Sequence, residues 1–254
     1  MSYKEIIVEK RYHNCRLDKL LVDLKFVENK SRALSNIMMG HIYVNQKKIE
    51  KSGYRIKSGS TLRLKLERQW VSRGGIKLSY ALKKFKLKVG QKICLDIGCS
   101  TGGFSDVLLK NGAEYVHGID VGYGQIDLKI RNNERFKIHE RTNARNLEDD
   151  FFQVRFDLIV CDASFISLKK IIPPVIKFLK SSGSICFLIK PQFEVGRHFV
   201  SKGGIIKDES LQINVCEEIK FFFENNHNLK FINLCESPIT GQKGNKEFFM
   251  LLEK

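Results

Sequence analysis

The 254-residue chain has no apolar stretch near the roughly 18 residues that a membrane-spanning helix needs. Its longest apolar runs, such as Ile185–Ile189, have the length of buried strands. The opening segment MSYKEIIVEKRYH is charged throughout and lacks the apolar core of a secretory signal. No CxxC pair occurs. The seven cysteines, Cys15, Cys94, Cys99, Cys161, Cys186, Cys216 and Cys235, are odd in number and lie mostly inside apolar runs. That pattern speaks against a disulfide framework or a zinc site, and for small buried side chains in a reducing compartment. His117, His139 and His198 show no metal-ligand spacing, so no metal is expected and these histidines are read as structural. There is no internal repeat of about 20–50 residues and no low-complexity tract. The expectation is a cytoplasmic protein without stable membrane insertion.

Acidic residues are in short supply: 28 Asp and Glu stand against 44 Lys and Arg, a net charge of +16. Such an excess fits a polyanionic partner, either nucleic acid or an anionic membrane surface. Residues 1–70 hold 16 of the basic residues and only seven of the acidic ones, so the first quarter of the chain carries over half the excess. With 43% hydrophobic and 28% charged residues, the composition is that of a soluble globular protein. The length suits one large domain or two small ones. A change in composition near residue 70 favours two.

After residue 70, apolar runs alternate with helical segments, the pattern of a parallel sheet with crossover helices. Strands are expected at Lys92–Ile97, Tyr115–Val121, Phe136–Arg141, Phe156–Cys161 and Ser184–Ile189, and a final antiparallel pair at Lys230–Cys235 and Glu247–Leu252. Helices are expected at 104–111, 125–132, 168–179 (interrupted or started at Pro173-Pro174) and 208–224. The reading is an α/β fold with a seven-stranded sheet. Before residue 70, a helix starts at Arg16-Leu-Asp-Lys-Leu-Leu, and a second is expected from Ser31 as cap to Gly40 as stop. Strand–turn–strand patterns follow at 41–49 and 54–66.

Leu95-Asp-Ile-Gly-Cys-Ser-Thr-Gly-Gly-Phe104 follows a strand and opens a helix. Glycine lets the backbone approach a ligand closely. The spacing is not GxGxxG, and Asp96 stands before the first glycine, where a carboxylate disfavours a pyrophosphate. An acid there suits a ligand carrying an ammonium group, such as the methionine end of S-adenosylmethionine. Asp120, at the end of the second strand, is placed to accept hydrogen bonds from ribose hydroxyls.

The segments Val71-Ser-Arg-Gly-Gly-Ile-Lys-Leu78, LDIGCSTGGF, Asp120-Val-Gly-Tyr-Gly-Gln125, Glu140-Arg-Thr-Asn-Ala-Arg145, Asp162-Ala-Ser-Phe-Ile-Ser167 and Lys190-Pro-Gln-Phe-Glu194 together resemble the TlyA family. Its members are often labelled hemolysins, and its activity is methylation of cytidine 2′-hydroxyls in ribosomal RNA with S-adenosylmethionine. The resemblance implies an S4-like RNA-binding domain of small α+β type over residues 1–66 and a linker over 67–72. It further implies a Rossmann-like class I methyltransferase domain of the RrmJ or FtsJ type over 73–254. By the same resemblance the cofactor site comprises Asp96, Gly98, Ser100, Thr101, Gly102, Gly103, Phe104, Asp120, Asn143, Ala144 and Asp162. Asn143 is read either as an adenine contact or as a loop-turn residue, and Cys99 as a small filler.

RrmJ-like enzymes use a Lys–Asp–Lys–Glu tetrad, and the matching positions are Lys77, Asp162, Lys190 and Glu247. Following the family, Lys190 is assigned as the base that takes the ribose proton, Lys77 as a group that positions the ribose, and the two acids as holders of the lysines and the hydroxyl. Arg16, Lys19, Lys30, Arg32, Lys47 and Lys48 are the expected phosphate contacts, which orient RNA without reading its sequence. Trp70, the single tryptophan, is read as packing between domains or stacking on a base. The expected partner is ribosomal RNA or a ribosomal subunit, with the large subunit favoured because the chain has no long extension after Glu247. A membrane-active hemolysin and a catalytically inactive assembly factor are the competing readings.

Overall fold

Leu62 and Leu64 are buried while Thr61, Arg63 and Lys65 stay partly exposed, the period-two pattern of a half-covered strand. That strand lies at the centre of the first of two units in the computed structural model, which describes residues 3–65, 69–196, 199–201, 203–241 and 243–254. The units are Met1–Gln69 and Trp70–Lys254. The first contains β1 (Tyr3–Ile7), β2 (Cys15–Arg16), α1 (Leu17–Asp23), α2 (Lys30–Met38), β3 (Ile42–Val44), β4 (Lys47–Ile49), β5 (Arg55–Ile56) and β6 (Thr61–Lys65). Its main sheet has the order β1-β6-β3-β4, antiparallel throughout, and β2 pairs with β5. Leu17, Leu20 and Leu21 of α1 and Ala33 and Ile37 of α2 pack into one core with Ile42, Ile56 and Leu62.

Three expectations for this unit need correction. Helix α2 is capped by Asn29 and not by Ser31: Asn29 is extended (φ −155°), so its side chain reaches back to accept a hydrogen bond from Arg32 N at 3.0 Å. The strand expected over 54–57 shrinks to Arg55–Ile56, and Leu66, its companion's last residue, lies outside the described residues. Strand β1 has no counterpart in the sequence reading. It is largely exposed, so its sequence carries no burial rhythm.

The second unit contains α3 (Arg73–Lys84), β7 (Ile93–Ile97), α4 (Gly103–Lys110), β8 (Tyr115–Ile119), α5 (Leu128–Arg131), β9 (Phe136–His139), β10 (Phe156–Cys161), α6 (Leu168–Ile171), α7 (Pro173–Ile176), β11 (Leu179–Ile189), α8 (Pro191–Glu194), α9 (Glu209–His227), β12 (Lys230–Glu236) and β13 (Phe248–Glu253). Its seven strands have the order β12-β13-β11-β10-β7-β8-β9. The five strands from β11 to β9 are parallel, and β13 inserts antiparallel between β11 and β12. Both faces are covered. Ile159, Ile185, Phe187, Met250 and Leu252 point into one apolar layer, while Leu158, Val160, Cys186, Phe249 and Leu251 point into the other. This double burial is why the strands read as continuous apolar runs.

Several boundaries move. The helix expected over 125–132 is the single turn α5, capped by Asp127, whose Oδ1 accepts from Lys129 N at 2.8 Å. The third strand stops at His139. The helix expected over 168–179 divides into α6 and α7, because Pro173 has no N–H to continue the ladder. Leu179 belongs to β11, an eleven-residue strand that begins well before Ser184. Asp208 caps α9, which runs on to His227. Helix α3 was not expected, because Gly74 and Gly75 lower helix propensity in its first turn.

Trp70 lies inside the second unit's core at 8% exposure. A Cβ on Gly75 would come within 2.3 Å of the Trp70 side chain, so glycine is what lets the two segments meet. Lys110 Nζ sits 4.9 Å from the indole centroid, and Asp106 accepts from Val71 N at 2.9 Å. Trp70, expected in a linker where it would pack between domains or stack on a base, instead packs on α3 and α4 within the second unit. Trp70→Ala is expected to lower the stability of this unit by about 3–5 kcal/mol, with Trp70→Phe costing less. Urea unfolding followed by circular dichroism checks this.

Candidate active site

The parallel registers bring five strand ends to one edge of the sheet. Cys161 pairs with Ile97 and Phe187, Ile97 with Ile119, and Ile119 with His139. The residues that follow, Asp162, Gly98, Asp120 and Glu140, emerge there. Lys190 follows β11, and Ile189 pairs with Phe248, so Glu247 reaches the same edge from the antiparallel strand. Such an edge is where open α/β sheets bind ligands.

Lys190 Nζ lies 2.7 Å from Asp162 Oδ1, and Lys77 Nζ lies 2.6 Å from Glu247 Oε2. Lys77, Lys190 and Glu247 are buried, at 8%, 7% and 3% exposure. Buried lysines need partners, and each here has a carboxylate. Lys77 arrives from α3, and Lys190 holds an extended backbone (φ −118°) before Pro191. Gly241 explains how Glu247 is reached: a Cβ there would lie 2.6 Å from Glu247 Oε1. The four tetrad positions thus form two ion pairs at the sheet edge.

Gly98 (φ +73°) and Gly102 (φ +89°) shape the turn after β7, and Gly98 runs so close to Ala163 that a Cβ would meet its backbone at 3.0 Å. Asp96 is fully buried. Its Oδ2 accepts from Ser105 N and Ser105 Oγ at 2.9 and 2.6 Å, whereas Oδ1 has no partner among the described residues. Burial raises its pKa from 3.8 to about 7, against the opposing hydrogen bonds from Ser105. Asp120 Oδ2 accepts from Ser100 N and Oδ1 from Gly122 N, both at 2.7 Å. Each oxygen keeps a lone pair beyond those bonds.

The remaining cofactor positions divide. Thr101 is exposed in the turn, and its carbonyl accepts from Asp127 N. Gly103 sits where a Cβ would strike Ser72 Oγ at 2.1 Å. The Phe104 ring is a core group, 6.0 Å from Phe249, and the Ala144 methyl is also in the core. Asn143 Oδ1 accepts from Arg145 N at 3.1 Å, the loop-turn role, while its amide group has no partner among the described hydrogen bonds.

In the first unit Arg16, Lys19, Lys30, Arg32, Lys47 and Lys48 are all exposed. Arg16 pairs with Asp18 at 2.8 Å and Lys48 with Glu50, whereas Lys19, Lys30, Arg32 and Lys47 make no ion pair among the described residues. His117 Nδ1 and His139 Nε2 are 3.1 Å apart amid Phe151, Phe152 and Phe156, and burial pushes His117 down to about 4. His198 lies outside the described residues. The seven cysteines are free thiols.

Three residues at this edge were missed by sequence reasoning. Ser105 holds Asp96. Ser164 Oγ lies 2.7 Å from Lys190 Nζ. Phe165 is 89% exposed with φ +65°, a backbone that non-glycine residues seldom adopt. The last two stand inside the DASFIS segment, so the signal was in hand.

A mostly parallel seven-stranded sheet with an antiparallel strand beside its fifth member, and a glycine turn after its first, defines a Rossmann-like class I methyltransferase. The FtsJ-like methyltransferase profile matches residues 70–254, and the S4 domain profile matches residues 15–62. The Bacillus subtilis protein YqxC is 42% identical over 241 residues, 93% of this chain and 85% of that protein. The 16S/23S rRNA (cytidine-2′-O)-methyltransferase TlyA of Mycobacterium tuberculosis is 42% identical over 188 residues, 73% of this chain and 69% of that protein. A solved Streptococcus thermophilus structure named a hemolysin superposes with a TM-score of 0.71 at 39% identity, covering 94% of this chain and 88% of its own. The chain belongs to the TlyA family of FtsJ-like methyltransferases.

Proposed function

We propose that this protein methylates the ribose 2′-hydroxyl of a cytidine in ribosomal RNA, with S-adenosylmethionine as methyl donor and the large subunit as substrate. The observation that carries the reading is the pair of buried ion pairs, Lys190–Asp162 and Lys77–Glu247, at the edge that also holds the glycine turn. The name of the Mycobacterium relative supplies the base and the RNA, and a 23S rRNA (cytidine-2′-O)-methyltransferase TlyA of Campylobacter jejuni, 35% identical over 188 residues, supports the large subunit.

The cradle fits the donor. Asp96 offers a buried carboxylate oxygen without a partner, suited to an ammonium group, and Asp120 offers the free lone pairs that ribose hydroxyls need. When bound, S-adenosylmethionine supplies a methyl group on a positively charged sulfur. Lys190 takes the proton of the ribose hydroxyl as the oxygen–methyl bond forms and the methyl–sulfur bond breaks to leave a thioether. Taking that proton requires the neutral amine. Asp162 holds Lys190 in place, Glu247 holds Lys77, and Lys77 positions the ribose. The exposed ring of Phe165, beside Ser164, offers a surface on which a base can stack. The exposed cations of the first unit hold RNA phosphates.

The name hemolysin attaches to relatives of the same family. Among the described residues no helix is long and apolar enough to cross a membrane. Incubating purified protein with methyl-labelled S-adenosylmethionine and isolated ribosomal subunits tests the proposal. Label in the large-subunit RNA is expected. Label in neither subunit's RNA contradicts it.

The state of Asp96 gives a pH prediction. Below about 7 its carboxyl holds a proton and cannot pair with an ammonium. Cofactor affinity should therefore tighten as pH rises from 6 to 7.5, below the range near 8 where a free α-amino group itself loses its proton. Asp96→Asn should bind weakly and without this pH dependence, as titration calorimetry reads. The native state also keeps a proton that the unfolded chain has lost, so the stability of the ligand-free protein should fall as pH rises from about 4 to about 7.

A further inference from the structure

Lys190 Nζ has three acceptors around it: Asp162 Oδ1 at 2.7 Å, Ser164 Oγ at 2.7 Å and the Asp162 carbonyl at 3.2 Å. Nζ donates hydrogen bonds to Ser164 Oγ and to the Asp162 carbonyl, while Asp162 Oδ1 holds it as an ion pair outside hydrogen-bond geometry. Loss of one proton leaves two donors and a lone pair. The short bond to Ser164 keeps its donor, and the long contact to the carbonyl is the one released. The ion pair with Asp162 holds Nζ by charge and leaves the amine free to turn about its Cε–Nζ bond. A second anchor fixes its orientation, and Ser164 is the residue that supplies it.

The serine is itself held on both sides. Ala163 packs against Gly98 of the cofactor turn. Three residues further on, Glu194 accepts from Ser167 Oγ at 2.6 Å and from Leu168 N at 2.8 Å. Residues 162–168 are thus tied three times to residues 190–194: through Lys190 with Asp162 and Ser164, through the Phe165 and Phe193 rings at 5.0 Å, and through Glu194. Phe165 makes the middle tie from its left-handed conformation.

We propose that Ser164 is a positioning residue for methyl transfer, which orients the Lys190 amine so that its lone pair stays available to the ribose proton. This rests on the reading of Lys190 as the base. The test compares the full-length protein with Ser164→Ala, Ser164→Thr and Lys190→Ala, measuring kcat, the KM for ribosomal RNA and cofactor affinity. Ser164→Ala should lower kcat by about 2- to 10-fold, the range for a hydrogen bond between neutral groups, while KM and cofactor affinity change less than about twofold. Ser164→Thr keeps the hydroxyl and should recover most of the rate. The proposal is overturned if Ser164→Ala is as fast as the unmodified protein, if Ser164→Thr is as slow as Ser164→Ala, or if the change falls on KM alone. Full activity of Lys190→Ala would instead overturn the base assignment. A slow Lys190→Ala beside a fast Ser164→Ala removes Ser164 and leaves that assignment standing. Thermal melting of each variant with cofactor present identifies any loss of folding.

Discussion

Lys190→Ala should slow single-turnover methyl transfer by about 10²–10⁴-fold, the usual cost of losing a general base, with cofactor and RNA both still binding. The size of the effect follows from the position. Lys190 emerges at the sheet edge immediately after β11, its backbone extended by the following proline and its amine fixed between Asp162 and Ser164. Alanine removes the proton acceptor and leaves the cradle of Asp96, Gly98 and Asp120 untouched. A residual rate is compatible, since Lys77, Asp162 and Glu247 still place the hydroxyl. The substitution also strands Asp162, whose Oδ1 is buried, so thermal melting of the variant is measured beside its rate. A rate within a few-fold of the unmodified protein, with both ligands saturating, would move the base to Lys77.

Removing residues 1–66 should abolish methylation of ribosomal subunits while leaving cofactor binding nearly intact. The two units have separate cores: Leu17, Leu20, Ile37, Ile42 and Leu62 form one, and the sheet layers of the second are built from Trp70 onward. The second unit therefore keeps its own fold when the first is absent. What it loses is the more basic part of the chain, with exposed Lys19, Lys30, Arg32 and Lys47 that make no ion pair among the described residues. Phosphate contacts release counterions, so RNA affinity of the full chain should fall steeply with salt, and the truncated chain should show a shallower slope. Full activity of the truncated chain on ribosomal subunits would refute this division of labour.

Much of the second unit was legible because its strands are buried on both faces. Phe156–Cys161 and Ile185–Ile189 can be little else than interior strands, and the glycine turn after Ile97 marks where the ligand edge begins. Local competition was harder to read. Asn29 outcompeted Ser31 as a cap because its extended backbone stands three residues before the amide it accepts from. Helix α3 hid behind paired glycines whose purpose is packing against Trp70 and Phe104. The tetrad residues came from resemblance, and their arrangement could not be read along the chain: Lys77 and Glu247 meet across 170 residues of sequence. Ser164 and Phe165 were passed over inside a segment already quoted, because neither residue type announces chemistry without its neighbours in space.

The most direct test of the central claim is to locate the methyl group that the protein adds. Ribosomal RNA incubated with the purified protein and S-adenosylmethionine should gain a mark that resists alkaline cleavage at a single cytidine, since a methylated 2′-oxygen cannot attack the adjacent phosphate, and nucleoside analysis should return 2′-O-methylcytidine. A methyl group on a base, or RNA that gains none while the cofactor binds, would contradict the account.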